Sequence, residues 1–289
     1  MDAKVQQEVD RLRKESSWLV RFSVDGERYG KNRNQEPADV RPASFFRHLP
    51  NARRILELGA CQGGGTFQLA AHPGVHEVVA IEGRDYHVEK AQFVQKTLGV
   101  TNVQFLCENL ETFDLTSLGR FDAVYCVGFL YHLPRPWELL RRLAAITDHI
   151  YINTHYVRLS EADLTIDGYA GMSYTEFGYA DPLSGLSGWS FWPTLPALAQ
   201  MLLDAGFVPE ILEIDSVGPG QSPHGTTVLA RRTTTIPEHE LQDRVQKLHQ
   251  VLERLPRNAG SPNEAAHPWW RRTLSRLKRS VRRIVPHHK

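Results

Sequence analysis

The chain is poor in cysteine, with three in 289 residues: Cys61, Cys107 and Cys126. An odd number without Cys-x-x-Cys spacing excludes a disulfide framework and a four-cysteine zinc site. Reduced thiols are expected of a cytoplasmic protein. Long apolar runs are missing as well. No stretch approaches the ~18 uninterrupted apolar residues of a membrane span. The opening residues, MDAKVQQEVDRLRKE, have no apolar core, so no secretory signal is expected there. Acid is lacking in residues 267–289, which hold eight Lys and Arg. That leaves 26 basic residues against 33 acids, so the body is near −7 although the whole chain is +1. What is present is ordinary. Hydrophobic residues at 41% and charged residues at 23% exclude a wholly disordered, collagenous or coiled-coil chain. The length suits one large domain with additions, or two smaller ones.

Val5, Val9 and Leu12 share one stripe, which predicts a polar helix over 2–22. An irregular stretch rich in Gly, Asn and charge should follow, then a short helix at 42–49. Together these make an N-terminal helical cap, residues 1–49. From Arg53 the texture changes. RRILELG, VHEVVAIEG, NVQFLCEN, FDAVYCVG and HIYINTHY read as strands, separated by helical patterns at 66–71, 86–98 and 136–147. After a long Gly-rich, aromatic segment at 156–193, the rhythm resumes with a helix at 195–205 and strands FVPEILEID and TTVLARRT. Seven strands alternating with helices predict an α/β domain over 50–232, a doubly wound, mostly parallel sheet. Residues 156–193 are expected to act as a lid or binding loop at an acceptor site. A helix at 233–258 and a linker with a basic tail at 259–289 complete the chain.

The sharpest local signal is Ile55-Leu-Glu57-Leu-Gly59-Ala-Cys61-Gln-Gly63-Gly-Gly65. A buried strand runs into a glycine-rich turn that opens a helix, where the backbone can approach a ligand closely and free N–H groups are offered. Alone, such a loop is equally a structural turn. Its context is Glu82, at the end of the second strand, 23 residues after Gly59. In a doubly wound sheet an acid there can accept both ribose hydroxyls of a nucleotide. Glu57 would face a pyrophosphate unfavourably, so a cationic or zwitterionic nucleoside suits the loop better than a dinucleotide.

These residues resemble the class I S-adenosylmethionine-dependent methyltransferases. Their first motif is acid-x-Gly-x-Gly-x-Gly, and Glu57-Leu-Gly59-Ala-Cys61-Gln-Gly63 matches it except at Cys61. The resemblance covers 50–155 well and 190–232 more loosely. It implies a Rossmann-like fold and S-adenosyl-L-methionine as cofactor. The loop residues Glu57, Gly59, Cys61 and Gly63 would cradle the methionine part, and Glu82 would bind the ribose. After the third strand the family carries a Gly-Asp-Ala-like stretch beside the adenine. Here Glu108-Asn109-Leu110 stands in its place, and the Asn109 amide oxygen can accept from the adenine amino group. A catalytic thiol at Cys61 would require a lowered pKa, for which the only local support is the helix N-terminus.

Ligands in this architecture bind outside the carboxyl ends of the strands. That edge carries Tyr131 and His132 after the fourth strand and His155 and Tyr156 at the end of the fifth. Either histidine can serve as general base on an acceptor hydroxyl; either can also be a packed, hydrogen-bonded residue. From the insert, Tyr174, Glu176, Trp189 and Trp192 are candidate acceptor contacts, the aromatic rings suiting a sugar or another ring. Some of these aromatics would serve only to anchor the loop. No metal ligand set is recognisable. The expected activity is methylation of a hydroxyl on a small molecule or glycan. Tyr131-His132 also resembles tRNA wobble-uridine carboxymethyl-transfer enzymes, against which the acidic body argues. A non-catalytic nucleoside-binding or membrane-tethered module is the remaining alternative, opposed by the intact Glu57, Gly59, Gly63 and Glu82.

In the tail, Trp270, Leu274, Leu277, Val281 and Ile284 fall on one helical stripe and Arg or Lys on the other faces. Tryptophan at one end and no acid describe an interfacial membrane helix. An acidic protein partner or the chain's own body are rivals, and nucleic acid is not expected. The chain is therefore expected to be cytoplasmic, peripheral on the inner face of the membrane if the tail binds lipid. Each basic residue near an anionic surface contributes about 1 kcal/mol. The full chain should co-sediment with anionic vesicles, weakly with neutral ones, and less at high salt. The chain truncated after Gly260 should stay in solution and keep cofactor binding; equal sedimentation would remove the tail as an anchor.

Overall fold

The computed structural model describes residues 2–14, 16–30, 39–215 and 224–254. The basic tail and its apolar stripe lie outside the described residues. In chain order the elements are α1 (Ala3–Arg13), β1 (Arg21–Val24), β2 (Glu27–Gly30), α2 (Arg41–His48), β3 (Arg54–Leu58), α3 (Gly64–Ala70), β4 (Glu77–Glu82), α4 (Asp85–Leu98), β5 (Val103–Cys107), β6 (Ala123–Val127), α5 (Pro136–Leu143), β7 (His149–Tyr156), β8 (Leu164–Ile166), β9 (Tyr169–Thr175), β10 (Trp189–Pro193), α6 (Leu195–Asp204), β11 (Phe207–Asp215), β12 (His224–Arg232) and α7 (Glu238–Arg254). The seven strands expected from the sequence form one mostly parallel sheet in the order β11-β12-β7-β6-β3-β4-β5. The described chain divides into two compact units.

The first unit comprises Met1–Asp114, Phe121–Val127 and Tyr179–Leu183. Its strands β3, β4, β5 and β6 pair in parallel, β3 lying between β4 and β6. The Val, Ile, Leu and Ala side chains of β3 and β4 are buried on both faces, as inner parallel strands require. The N-terminal cap differs from the expected helix over 2–22, irregular stretch and short helix. Asp2 caps α1, its Oδ1 accepting from Lys4 N at 2.8 Å, but the helix stops at Arg13. Within the stretch read as irregular lies a β-hairpin, β1 paired antiparallel to β2. Asp25 and Gly26 turn it with φ of 49° and 80°, the two positive angles that an Asp-Gly hairpin turn needs. Val9, Leu12, Trp18, Phe22 and Tyr29 of the cap pack with Val94 of α4. Lys90, wholly buried, bonds to Ser16 Oγ at 2.6 Å. Its ammonium lies over the rings of Trp18 and Tyr86, which compensates part of its lost hydration.

The second unit comprises Leu115–Arg120, Gly128–Gly178 and the described residues from Ser184 onward. Here β12 pairs antiparallel with β7 and with β11, with a register shift between Ile211 and Glu213. α6 is buried along most of its length; Thr194 caps it, Oγ1 accepting from Ala197 N at 3.3 Å. The segment read as a long loop contains a three-stranded antiparallel sheet, β8-β9-β10. Its strands β9, YAGMSYT, and β10, WSFWP, carry Tyr169, Tyr174, Trp189, Phe191 and Trp192.

Gln62 ties the cap to the glycine turn. Its Oε1 accepts from Leu19 N at 2.8 Å and Val20 N at 3.3 Å, and its Nε2 donates to Ser17 O at 2.9 Å. Gln62→Ala would leave two backbone N–H groups without an acceptor, at about 1–3 kcal/mol each. Chemical denaturation should show that loss, and proteolysis should cut residues 14–30 first. An unchanged midpoint would mean that the cap is held by its apolar cluster alone.

Candidate active site

The first unit carries a cradle built on the β3–α3 turn. Gly63, at φ 82°, opens α3, and a Cβ there would stand 2.7 Å from Phe67 and 3.1 Å from Phe105. At Gly65 a Cβ would stand 2.7 Å from Glu57 Oε1. Cys61, where the family motif has glycine, takes φ 51°, a left-handed conformation costing roughly 1–2 kcal/mol for a non-glycine residue. Burial, then the nearby Glu82 carboxylate, push its thiol up to about 12, so it is no nucleophile at neutral pH.

Glu82 holds the turn closed. Its Oε2 accepts from Cys61 N at 2.9 Å and its Oε1 from Arg84 N at 3.0 Å. The carboxylate thus spans the β3–α3 and β4–α4 turns. Each oxygen keeps a second lone pair for a ribose hydroxyl. Glu57 is different. It is 5% exposed, and its Oε2 has no hydrogen-bond partner. Burial pushes its pKa up to about 8, and the carboxylates of Asp39 and Glu82 add to the rise. An orphaned buried acid beside a turn where a Cβ has no room fits the amino group of a zwitterionic ligand. Asn109 is exposed, and its Oδ1 accepts from Glu111 N at 2.9 Å; Leu110 beside it is buried.

No local sequence pattern marks the corner beyond Glu82. Arg84 Nε donates to Tyr179 O at 3.1 Å and its Nη2 to Asp181 O at 2.8 Å. Tyr86 Oη donates to Tyr179 O at 3.0 Å, and Tyr179 Oη to Asp85. His87 Nδ1 lies 3.2 Å from Gln62 Nε2 and its Nε2 3.0 Å from Pro182 O. Amide donor on one side and carbonyl on the other fix a neutral ring with its proton on Nε2. Burial lowers its pKa to about 4, in keeping with that state.

The second unit gathers most of the expected acceptor residues. Tyr131 and His132 lie in the turn after β6, tied to β7 by Gly128 N→Asn153 O at 2.9 Å and to β10 by Phe191 N→Leu133 O at 2.9 Å. Tyr131 stacks on His155 at 3.9 Å and meets Trp192 edge-on at 6.3 Å. Tyr174 stacks on Trp192 at 4.2 Å. Trp192 Nε1 and His155 Nδ1 are buried without hydrogen-bond partners. Glu176 is buried rather than exposed, and its Oε1 lies 3.0 Å from His132 Nδ1. Two expected residues stand apart. Tyr156 follows His155 on β7 and so faces the other way, its ring 5.3 Å from that of His224. Trp189 lies on the face of β10 opposite Ser190 and Trp192 and is 36% exposed.

The two histidines are not equivalent. Burial lowers His155 to about 4, helped by the neighbouring His132, which leaves it a weak base near neutrality. His132 instead has a carboxylate on Nδ1. With Nδ1–H donating to Glu176, Nε2 is the nitrogen that can take a proton.

A family profile described as "Methyltransferase domain" matches residues 55–149. The N-terminal domain of EvdMO1, crystallised in the presence of SAH and D-fucose, is 36% identical, with a TM-score of 0.70, over 80% of this chain and 97% of that one. The chain belongs to the class I S-adenosylmethionine-dependent methyltransferases. Full-length EvdMO1 is 32% identical with a TM-score of 0.61, over 83% of this chain. The Ubiquinone biosynthesis O-methyltransferase of Xanthomonas axonopodis pv. citri (strain 306) is 31% identical over 97 residues, 34% of this chain. The methyltransferase spans 49% of full-length EvdMO1 and 39% of the Xanthomonas protein. Its cofactor is S-adenosyl-L-methionine, which supplies an electrophilic methyl group on a sulfonium centre.

Glu57 then gives cofactor binding a pH dependence. A cationic ligand prefers the ionised acid, so affinity should rise with pH towards about 8 and level off above it, with proton release on binding at pH 7. Calorimetry with S-adenosylhomocysteine in buffers of different ionisation enthalpy measures that release. Glu57→Gln should abolish it and weaken binding by about 1.5–3 kcal/mol. Unchanged proton release in the variant would move the titrating group elsewhere.

Proposed function

We propose that this methyltransferase methylates a hydroxyl of a sugar-containing small molecule, with His132 as general base. The observation that carries this reading is the His132 Nδ1–Glu176 Oε1 pair at 3.0 Å, with Glu176 buried. A hydroxyl keeps its proton at neutral pH, so a transfer to oxygen gains from a positioned base, whereas most of the acceleration comes from alignment. His132 Nε2 receives the hydroxyl proton as the ether oxygen forms. Tyr131, His155, Tyr174 and Trp192 offer apolar ring faces of the kind that cover the C–H face of a sugar. The likeness to the EvdMO1 domain crystallised with SAH and D-fucose supports a sugar acceptor. A family enzyme of ubiquinone biosynthesis supports oxygen as the acceptor atom. For residues 268–289 the proposal remains an anionic membrane surface on the cytoplasmic side.

The test is a panel of acceptors: free 6-deoxyhexoses including D-fucose, their glycosides, quinols and amines, with S-adenosylhomocysteine release as readout. Sugars should turn over and amines should not. On an active sugar, His132→Ala should lower turnover roughly 100-fold or more while S-adenosylhomocysteine affinity holds. Undiminished turnover in that variant would falsify the base assignment, and turnover confined to quinols or amines would overturn the sugar reading.

A further inference from the structure

Glu176 accepts four hydrogen bonds. Oε2 takes Ser184 Oγ at 2.5 Å and Gly185 N at 2.6 Å; Oε1 takes Ser190 Oγ at 2.7 Å and His132 Nδ1 at 3.0 Å. A carboxylate has about four lone-pair directions, so all of them are used. Burial alone would raise its pKa, but these four donors outweigh burial and hold it below the usual carboxylate range. Three of the donors come from the far side of one loop, Phe177–Ser184, and the strand that follows it. Phe177 N donates to Ser184 Oγ at 2.7 Å and Glu176 N to Gly188 O at 3.1 Å, so the neck of the loop is closed. The tip, Tyr179–Leu183, belongs to the first unit, seated on Arg84, Tyr86 and His87 by the bonds given above.

We propose that Glu176 is a positioning residue through which the closed neck of the Phe177–Ser184 loop sets the tautomer of His132. The proposal rests on the reading of His132 as the base. Its physical basis is the sharing of one buried carboxylate. A shift of the neck withdraws the Ser184 and Gly185 donors, and a buried carboxylate that loses two of four donors binds a proton more readily. Ser184 and Gly185 serve Oε2, so the proton goes there; through Oε1 a neutral carboxyl is a weaker acceptor for Nδ1–H than a carboxylate, and the imidazole proton is then free to sit on Nε2, the wrong place for a base. The neck has little slack: a Cβ on Gly185 would lie 2.6 Å from His132 O and 3.1 Å from Glu176 Cδ. Besides Glu176, which follows β9, His155 of β7 and Tyr131 of the same turn face His132.

Nitrogen-resolved NMR of the histidine rings on the full chain reads tautomer and titration midpoint directly, without an acceptor. In the unaltered protein His132 should carry its proton on Nδ1. Glu176→Gln should lower its midpoint by about one pH unit or more, the scale of losing a neighbouring carboxylate. Ser190→Ala, which removes one donor and leaves the loop intact, should give a smaller shift and covers the case in which Glu176→Gln fails to fold. Ser184→Ala removes one donor of the neck. It should move the His132 midpoint or tautomer with Glu176 untouched. A His132 signal unmoved by Glu176→Gln and Ser190→Ala overturns the positioning role. A signal moved by those but not by Ser184→Ala overturns the role of the neck. Because the spectrum reports the pairing whatever the turnover, it separates this proposal from the base assignment, which the His132→Ala kinetics judge.

Discussion

One carboxylate, that of Glu82, fixes the geometry on which the cofactor cradle depends. Two loops leave the carboxyl ends of neighbouring parallel strands, and nothing in a parallel ladder joins such loops to each other. Glu82 does so by accepting the amide of Cys61 from one and of Arg84 from the other. Two charge-assisted bonds to backbone N–H groups in a buried setting are worth more than ordinary ones. They also hold Cys61 in a left-handed conformation that its side chain disfavours. The same acid is the ribose ligand implied by the family, so shape and recognition rest on one group.

Glu176 plays the corresponding part in the second unit. Both acids are buried, and each satisfies its oxygens with donors from separate chain segments. Glu57 is the contrast: buried, with an orphaned oxygen and a raised pKa. In a fold that compensates its other buried carboxylates, the uncompensated one marks where a cationic ligand group is wanted. The methyltransferase thus gives Glu82 and Glu176 donors from its own chain and leaves Glu57 Oε2 without one.

The parallel strands were legible in the sequence because a strand buried on both faces reads as a short apolar run. Glu57, Gly59, Gly63 and Glu82 were legible because the cradle is local: one turn and one strand end. The hairpin at Arg21–Gly30 was signalled by Asp25-Gly26 and was obscured by the charged residues around it. Three strands hid in the insert because Gly and Ser interrupt the alternation on which a strand reading depends. Tyr156 was grouped with His155 by adjacency, whereas strand alternation turns the two side chains to opposite faces.

By itself the sequence determined the sheet, the order of its strands and helices, the glycine turn and the acid that follows it, because these depend on patterns within about thirty residues. Tertiary structure alone decided which histidine has a carboxylate. His132 and Glu176 are 44 residues apart, and no local pattern links a turn after β6 to the end of β9. It likewise decided that the Tyr179–Leu183 segment joins the cofactor-binding unit, through Arg84, Tyr86 and His87, which are 93 or more residues away along the chain. Contacts at such separation are fixed by packing of whole elements, and packing leaves no periodic trace in the sequence.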